Sequence, residues 1–251
     1  MANLSPASAL KSGFGVTQRK DSWWLQPLLV AFGLGNFGVY STWAAFQGNN
    51  YEWGPYLSPF YSPLFLFKWW PLSPALLILW APLGFRATCY YYRKSYYRAF
   101  FGDPPACAVG EFGEKKYSGE TKFPFILQNL HRFFLYVAIF VIVVLWWDVF
   151  KAFWFDGKFG IGVGTLVMFF NTTFLSLYTF SCHSFRHLVG GKRDCFSCGK
   201  GAKTEYKVWS VVSMLNENHM LWAWISLTTV GLTDVYIRLC AMGVITDIRI
   251  F

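Results

Sequence analysis

Residues 125–150 read FILQNLHRFFLYVAIFVIVVLWWDVF, and this stretch decides the class of fold. Between Arg132 and Asp148 it carries no charged side chain. A bilayer core requires roughly 20 mostly apolar residues per helix, and the stretch meets that length. Four more stretches do the same, at 25–46, 71–92, 160–182 and 209–240. The expected fold class is therefore all-α, a single membrane domain over 1–251 built as a bundle of five transmembrane helices. Composition agrees. Of 251 residues, 55% are hydrophobic, 22% aromatic and only 14% charged, where a soluble domain carries about 25% charged residues. Disorder and an ordinary cytosolic globule are both excluded by that balance.

The first ten residues, MANLSPASAL, lack a charged start running into an apolar core, and no small-residue cleavage site follows the first apolar run. No signal peptide is expected, and 25–46 reads as a true helix.

The distribution of basic residues sets the expected orientation. The formal net charge is +9, from 22 Lys+Arg against 13 Asp+Glu, and in a membrane protein such an excess sets topology rather than binding nucleic acid. Arg93, Lys94, Arg98, Lys115, Lys116 and Lys122 fall in one connecting segment, and Arg186, Lys192, Arg193, Lys200, Lys203 and Lys207 in another, the cytoplasmic loop 183–208. The alternate segments hold only Lys68, Lys151 and Lys158. The positive-inside rule then gives a cytoplasmic N-terminus and an external C-terminus. Segment 49–71, rich in Pro, Tyr and Trp, suits the membrane interface, where amphipathic rings settle. There is no repeat of 20 to 50 residues, no phosphate-cradling glycine loop and no nucleophile-elbow serine. Five spans without internal symmetry also argue against a transporter design.

Three cysteines and two histidines lie between Cys182 and Cys198. His183 and His187, at i and i+4, share one face if the helix continues past the apolar run. Gly190-Gly191 can then turn the chain back toward Cys195-x-x-Cys198, whose spacing lets two thiolates reach one metal. On the reducing cytoplasmic side a disulfide is disfavoured. Structural zinc takes such a set around one ion, whereas a Rieske-type [2Fe-2S] centre divides two Cys and two His between two irons. Spacing alone favours zinc, and the plain alternative is a pair of interfacial histidines with free thiols. Cys182 points about 100° from His183 on a helix and reads as a packing residue or substitute ligand.

Ionisable groups inside spans suggest function by default. His131 and Arg132 open the third span, and Glu217 and His219 fall two to three turns inside the fifth, both in the cytoplasmic half. A donor and acceptor set of His131, Glu217 and His219 suits a quinone head group, with Trp222 and Trp224 as lining. Arg86 reads as a terminal residue snorkelling to the interface. A b haem held between spans by His131 or His183 with His219 is an alternative, but two haems are excluded because the first two spans contain no histidine.

Five spans with a cytoplasmic N-terminus, together with the H-x-x-x-H-x7-C-x-x-C cluster, resemble the single-chain membrane anchor of respiratory complex II, succinate dehydrogenase or fumarate reductase, of the actinobacterial haem-free type with a Rieske-type [2Fe-2S] centre. The separate His and Cys pairs depart from the usual Rieske order of C-x-H and C-x-x-H. The resemblance implies iron–sulfur rather than zinc, with His183 and His187 on one iron, Cys195 and Cys198 on the other, and Arg193 or Asp194 hydrogen-bonding around them. It implies docking of a flavoprotein subunit and an iron–sulfur subunit on the basic face and reduction of a membrane quinone, with menaquinone the expected type. His131, Arg132, Glu217 and His219 would then bind quinone and deliver protons. The expected location is the cell (plasma) membrane, with membrane lipid as surroundings, a higher oligomer of the complex as an option, and no succinate oxidation by this chain alone. The contrasting function is a membrane scaffold protein with a His2Cys2 zinc site.

Overall fold

The computed structural model describes residues 13–112, 119–199 and 201–251. The expected start without a signal peptide at residues 1–10, and the basic residues Lys115, Lys116 and Lys200, lie outside the described residues.

The chain is mostly helical. Among the described residues four helical segments are long and apolar enough to cross a membrane: Leu25–Gln47, Phe125–Lys151, Val163–Phe180 and His219–Ala241. The first is α1, and α4 is the α-helical part of the second, His131–Lys151, entered through a 3-10 turn at Phe125–Leu130. Val163–Phe180 is α5 and His219–Ala241 is α8. At 1.5 Å per residue, the 23 residues of α8 reach about 34 Å, enough for a hydrocarbon core of about 30 Å.

Two expected spans take a different form. The stretch 71–92 is not one helix: a 3-10 turn at Pro74–Leu77 leads to α2, Trp80–Ala87, and α3, Tyr90–Tyr96, begins after a break at Thr88 and Cys89. Pro71, Pro74 and Pro82 each lack an N–H, so the backbone ladder is interrupted there and the 3-10 turn and α2 both start near a proline. The stretch 209–240 is also divided, into α7, Ala202–Glu217, and α8, with the break at Asn218 (φ −103°, ψ 20°). Asparagine side chains compete with the helical ladder for backbone groups. Here Asn216 Nδ2 donates to Ser181 O at 2.7 Å, which ties the break to the end of α5. His219 therefore opens a span instead of lying turns inside one.

The chain divides into two compact units. The first comprises residues up to Asn36 and Ala87–Asn129. Its N-terminal segment pairs with the segment near Gly110, through Gly15 N donating to Gly110 O at 3.0 Å and Gly110 N to Val16 O at 2.9 Å. Phe14 and Phe112 stack at 3.8 Å, and the Arg93 guanidinium bridges Glu120 at 3.2 Å.

The second unit, Phe37–Arg86 and Leu130–Phe251, holds α4, α5 and α8 packed together, with α6, His183–Val189, and α7 at one end. At the other end lie two short hairpins, β1 (Glu52–Trp53) with β2 (Tyr56–Leu57) and β3 (Trp154–Phe155) with β4 (Lys158–Phe159). Buried Ala44, Ala45, Phe60, Tyr61, Ala75 and Val230 form one apolar cluster, and Tyr56, Val149, Ala152, Phe155, Met168 and Ile237 another.

Sequence reading located the intramembrane polar groups near the α6 end alone. The structure adds a second set. Asp234, fully buried, pairs with Arg238 at 2.7 Å and accepts hydrogen bonds from Tyr40 Oη at 2.5 Å and from Ser58. Arg238 in turn donates to Asn49 O and Ala44 O, both at 2.9 Å. Asp247 accepts from Tyr56 Oη (2.8 Å), Tyr236 Oη (2.6 Å) and Gly164 N (2.8 Å), holding the C-terminal segment against α5 and α8. A buried charge is tolerated where its lone pairs or protons are matched in this way.

Candidate functional site

Four elements of the second unit bring rings into one continuous series. Phe85 of α2 stacks on His131 of α4 with centroids 4.6 Å apart and planes 6° from parallel. Phe85 also meets Tyr178 of α5 edge to face at 5.5 Å, and Tyr178 stacks on His219 of α8 at 5.1 Å. All four residues are buried, His131 to 6% and His219 to 8% exposure. Ser181 Oγ lies 2.7 Å from His219 Nδ1, which fixes the ring's orientation.

Arg86 turns into this cluster. Its guanidinium carbon lies 4.7 Å from the Tyr178 ring centroid, Nη2 donates to Ser226 Oγ at 3.1 Å and Nη1 to Ala223 O at 3.4 Å. The snorkelling expected of Arg86 is thus corrected: α8 offers small Ala223 and Ser226 at i+4 and i+7 from His219, leaving room and acceptors for the cation. Gly84 of α2 leaves room for the Phe134 ring of α4, since an added Cβ would stand 2.2 Å from it.

Trp222 lies on the same side of α8 as His219, three residues on. Its Nε1 is buried and has no hydrogen-bond partner among the described residues. An orphaned indole N–H is the group a carbonyl oxygen would satisfy. The cluster therefore offers a cation and two imidazoles among aromatic rings, with an unused donor three residues along α8 from His219.

The other candidates for quinone binding lie apart from it. Arg132 is exposed and shares a small crevice with Tyr136, Ser184, His187 and Lys192. Glu217 is exposed at the end of α7. Of the four expected residues, His131 and His219 come together and Arg132 and Glu217 do not join them.

The Cys/His stretch folds as α6 and a loop. Cys182 is buried and caps α6, its Sγ accepting from Phe185 N at 3.3 Å. His183 and His187 are both exposed on α6. The chain turns at Gly190 and Gly191 as expected, and Gly191 is needed there because a Cβ would stand 2.7 Å from His187 Cα. Against the expectation of free thiolates, Cys195 and Cys198 are joined in a disulfide, with Cα atoms 5.5 Å apart, well within reach of one bridge. Arg193 is engaged with Glu205 of α7, Nη2 to Oε1 at 2.9 Å, and the guanidinium holds the Glu205 carboxyl below its usual range. Asp194 is exposed. Among the described residues no three His, Cys, Asp or Glu side chains converge as metal ligands. In this arrangement His183 and His187 stand on α6, and the Cys195 and Cys198 sulfurs are bonded to each other.

Sequence reading passed over Phe85, Tyr178 and Ser181. In a chain with 22% aromatic residues, no local signal separates a site tyrosine from a packing one. The i, i+4, i+7 row His219, Ala223, Ser226, with small residues facing a polar one, was the available sign.

The fold defines a multi-pass helical membrane protein. The family model described as actinobacterial succinate dehydrogenase subunit SdhC matches residues 25–243, and the chain belongs to that family. A solved structure, "Mycobacterium smegmatis Sdh1 complex in the apo form", contains a chain 43% identical to this one, with 94% of each covered and a TM-score of 0.84. No curated protein matches the chain. It is an SdhC-like membrane anchor subunit of succinate dehydrogenase, part of an enzyme without being catalytic alone.

Proposed function

We propose that this chain holds the flavoprotein and iron–sulfur subunits of succinate dehydrogenase at the membrane and delivers their electrons to a membrane quinone, with menaquinone the expected type. One observation carries the reading: His131 and His219, from two different spans, are buried in one ring series that the Arg86 guanidinium meets at Tyr178, and Trp222, three residues after His219 on α8, has an Nε1 with no partner among the described residues. A quinone head group needs donors to two carbonyl oxygens and a proton source on reduction. Arg86 and Trp222 supply donors, and the imidazoles supply both a donor and a route for protons. The discontinuous segment from Pro74 to Tyr96 is read as the crossing that makes five, with a cytoplasmic N-terminus and an external C-terminus. Both basic segments then lie on the side of the soluble subunits.

The proposed cofactor is a Rieske-type [2Fe-2S] centre, with His183 and His187 on one iron and Cys195 and Cys198 on the other. This part stands on donor types and spacing and requires the Cys195–Cys198 bond to be open. A b haem between His131 and His219 has less support, since the rings of Phe85 and Tyr178 fill the series between them.

His219→Ala in the intact complex tests the quinone site. Quinone reduction is expected to fall at least about tenfold, the loss for a charged or polar contact made to the reacting group, while dye-linked succinate oxidation persists. Unchanged quinone reduction refutes it. Iron and acid-labile sulfide on the isolated anchor, with a spectrum of mixed His/Cys ligation, would support the cofactor; zinc without iron, or a haem band, would reject it.

A further inference from the structure

The end of the second unit opposite the imidazole cluster contains a cavity of about 710 Å³ between the β1–β2 hairpin and the end of α4. Along α4, Asp148 is about 25 Å from His131 at the helical rise, so the two sites are separate. A volume of this size suits a small molecule or lipid head group rather than a few waters.

Its lining has an unusual charge arrangement. Asp148 is buried at 3% exposure, accepts a hydrogen bond from Ser62 and pairs with Lys151 Nζ at 2.8 Å. Lys151 is half exposed, and an ammonium has three N–H donors, so donors remain beyond the one given to Asp148. Glu52, on β1, lines the same cavity and is exposed. Asp148 and Lys151 offset each other, which leaves the Glu52 carboxylate as the net charge. Trp147 and Trp154 complete the polar level, while Val144 and Leu64 extend it with apolar surface.

We infer that this cavity binds a phospholipid with a zwitterionic amine head group. The lipid ammonium would face Glu52 and the tryptophan rings, which attract cations. The phosphate would take the remaining Lys151 donors, and an acyl chain would follow Val144 and Leu64. An anionic head group meets the uncompensated Glu52 charge and is disfavoured. The two tryptophans, 58% and 45% exposed, match the level at which aromatic side chains meet lipid head groups.

The test uses the purified succinate dehydrogenase complex, stripped of lipid and incubated with equal phosphatidylethanolamine and phosphatidylglycerol, with retained lipid measured by native mass spectrometry. The wild type is expected to retain phosphatidylethanolamine in preference by about fivefold, the size of one partly exposed charge interaction. Glu52→Gln, at an exposed position, should lower that ratio by more than about twofold, and Glu52→Lys should invert it. Lys151→Gln should reduce retention of both lipids. A wild-type ratio at or below one, or a smaller change in Glu52→Gln, overturns the inference, as does retention of an added quinone in place of either lipid.

Discussion

The Arg86 guanidinium lies over the Tyr178 ring at 4.7 Å and is tied to Ser226 at 3.1 Å. The cation is committed to the inside of the bundle, against the ring that stacks on His219. This arrangement makes Arg86 the first residue to test.

Arg86→Gln removes a charge-assisted donor and should lower quinone reduction by about tenfold or more, with dye-linked succinate oxidation retained. Arg86→Lys keeps the charge but loses the planar fork, and should fall between the two. Steady-state assays with quinone and with dye on the same preparation check both.

Asp234 is held at 0% exposure by Arg238, Tyr40 and Ser58. Asp234→Ala strands the Arg238 charge and should destabilise the protein by about 3–5 kcal/mol. Asp234→Leu combined with Arg238→Met should recover most of that loss. Thermal unfolding in detergent gives the comparison, and equal losses in the single and double variants would contradict it.

At Gly84 an added methyl group meets the Phe134 ring at 2.2 Å. Gly84→Ala should therefore destabilise the contact of α2 with α4 by about 1–3 kcal/mol, as overpacked sites do. Adding Phe134→Leu should restore melting toward wild type. If the single variant melts normally, α2 does not approach as closely as described.

The Arg193–Glu205 pair ties the α6–α7 loop to α7, and Arg193 lowers the Glu205 pKa. A lowered carboxyl pKa gives an interaction that is complete above its unfolded value and is lost as pH falls through its folded value. Resistance of the loop to limited proteolysis should decline on acidification below the ordinary glutamate range, and Glu205→Gln should remove that pH dependence.

In protein isolated without the iron–sulfur centre, Cys195 and Cys198 should resist alkylation until a reductant is added, after which both should react. Cys182, 1% exposed, should stay unmodified in the folded protein under either condition. Mass mapping of labelled peptides distinguishes the three.

Residues 125–150 and 25–46 were legible as spans because lipid demands an uninterrupted apolar length, a property written locally along the chain. The breaks at Thr88-Cys89 and Asn218 were less legible. Both lie within apolar runs whose average hydropathy conceals the break; at Asn218 an asparagine competes for the backbone ladder. His131 and His219 stood out as ionisable groups in apolar surroundings, which is why half of the quinone candidates meet in space.

Chain composition alone established a membrane protein, the extent of its longest spans and the residues rare enough to carry chemistry. Which of those residues share a site was decided by packing between segments far apart in sequence. Tyr178 meets His219 because α5 lies against α8, its ring reaches Phe85 of α2 from there, and Asp234 reaches Tyr40 across 194 positions. Local periodicity specifies a helix and its faces. It does not specify which neighbour each face will meet, since that depends on the joint burial of rings, charges and backbone groups in the folded bundle.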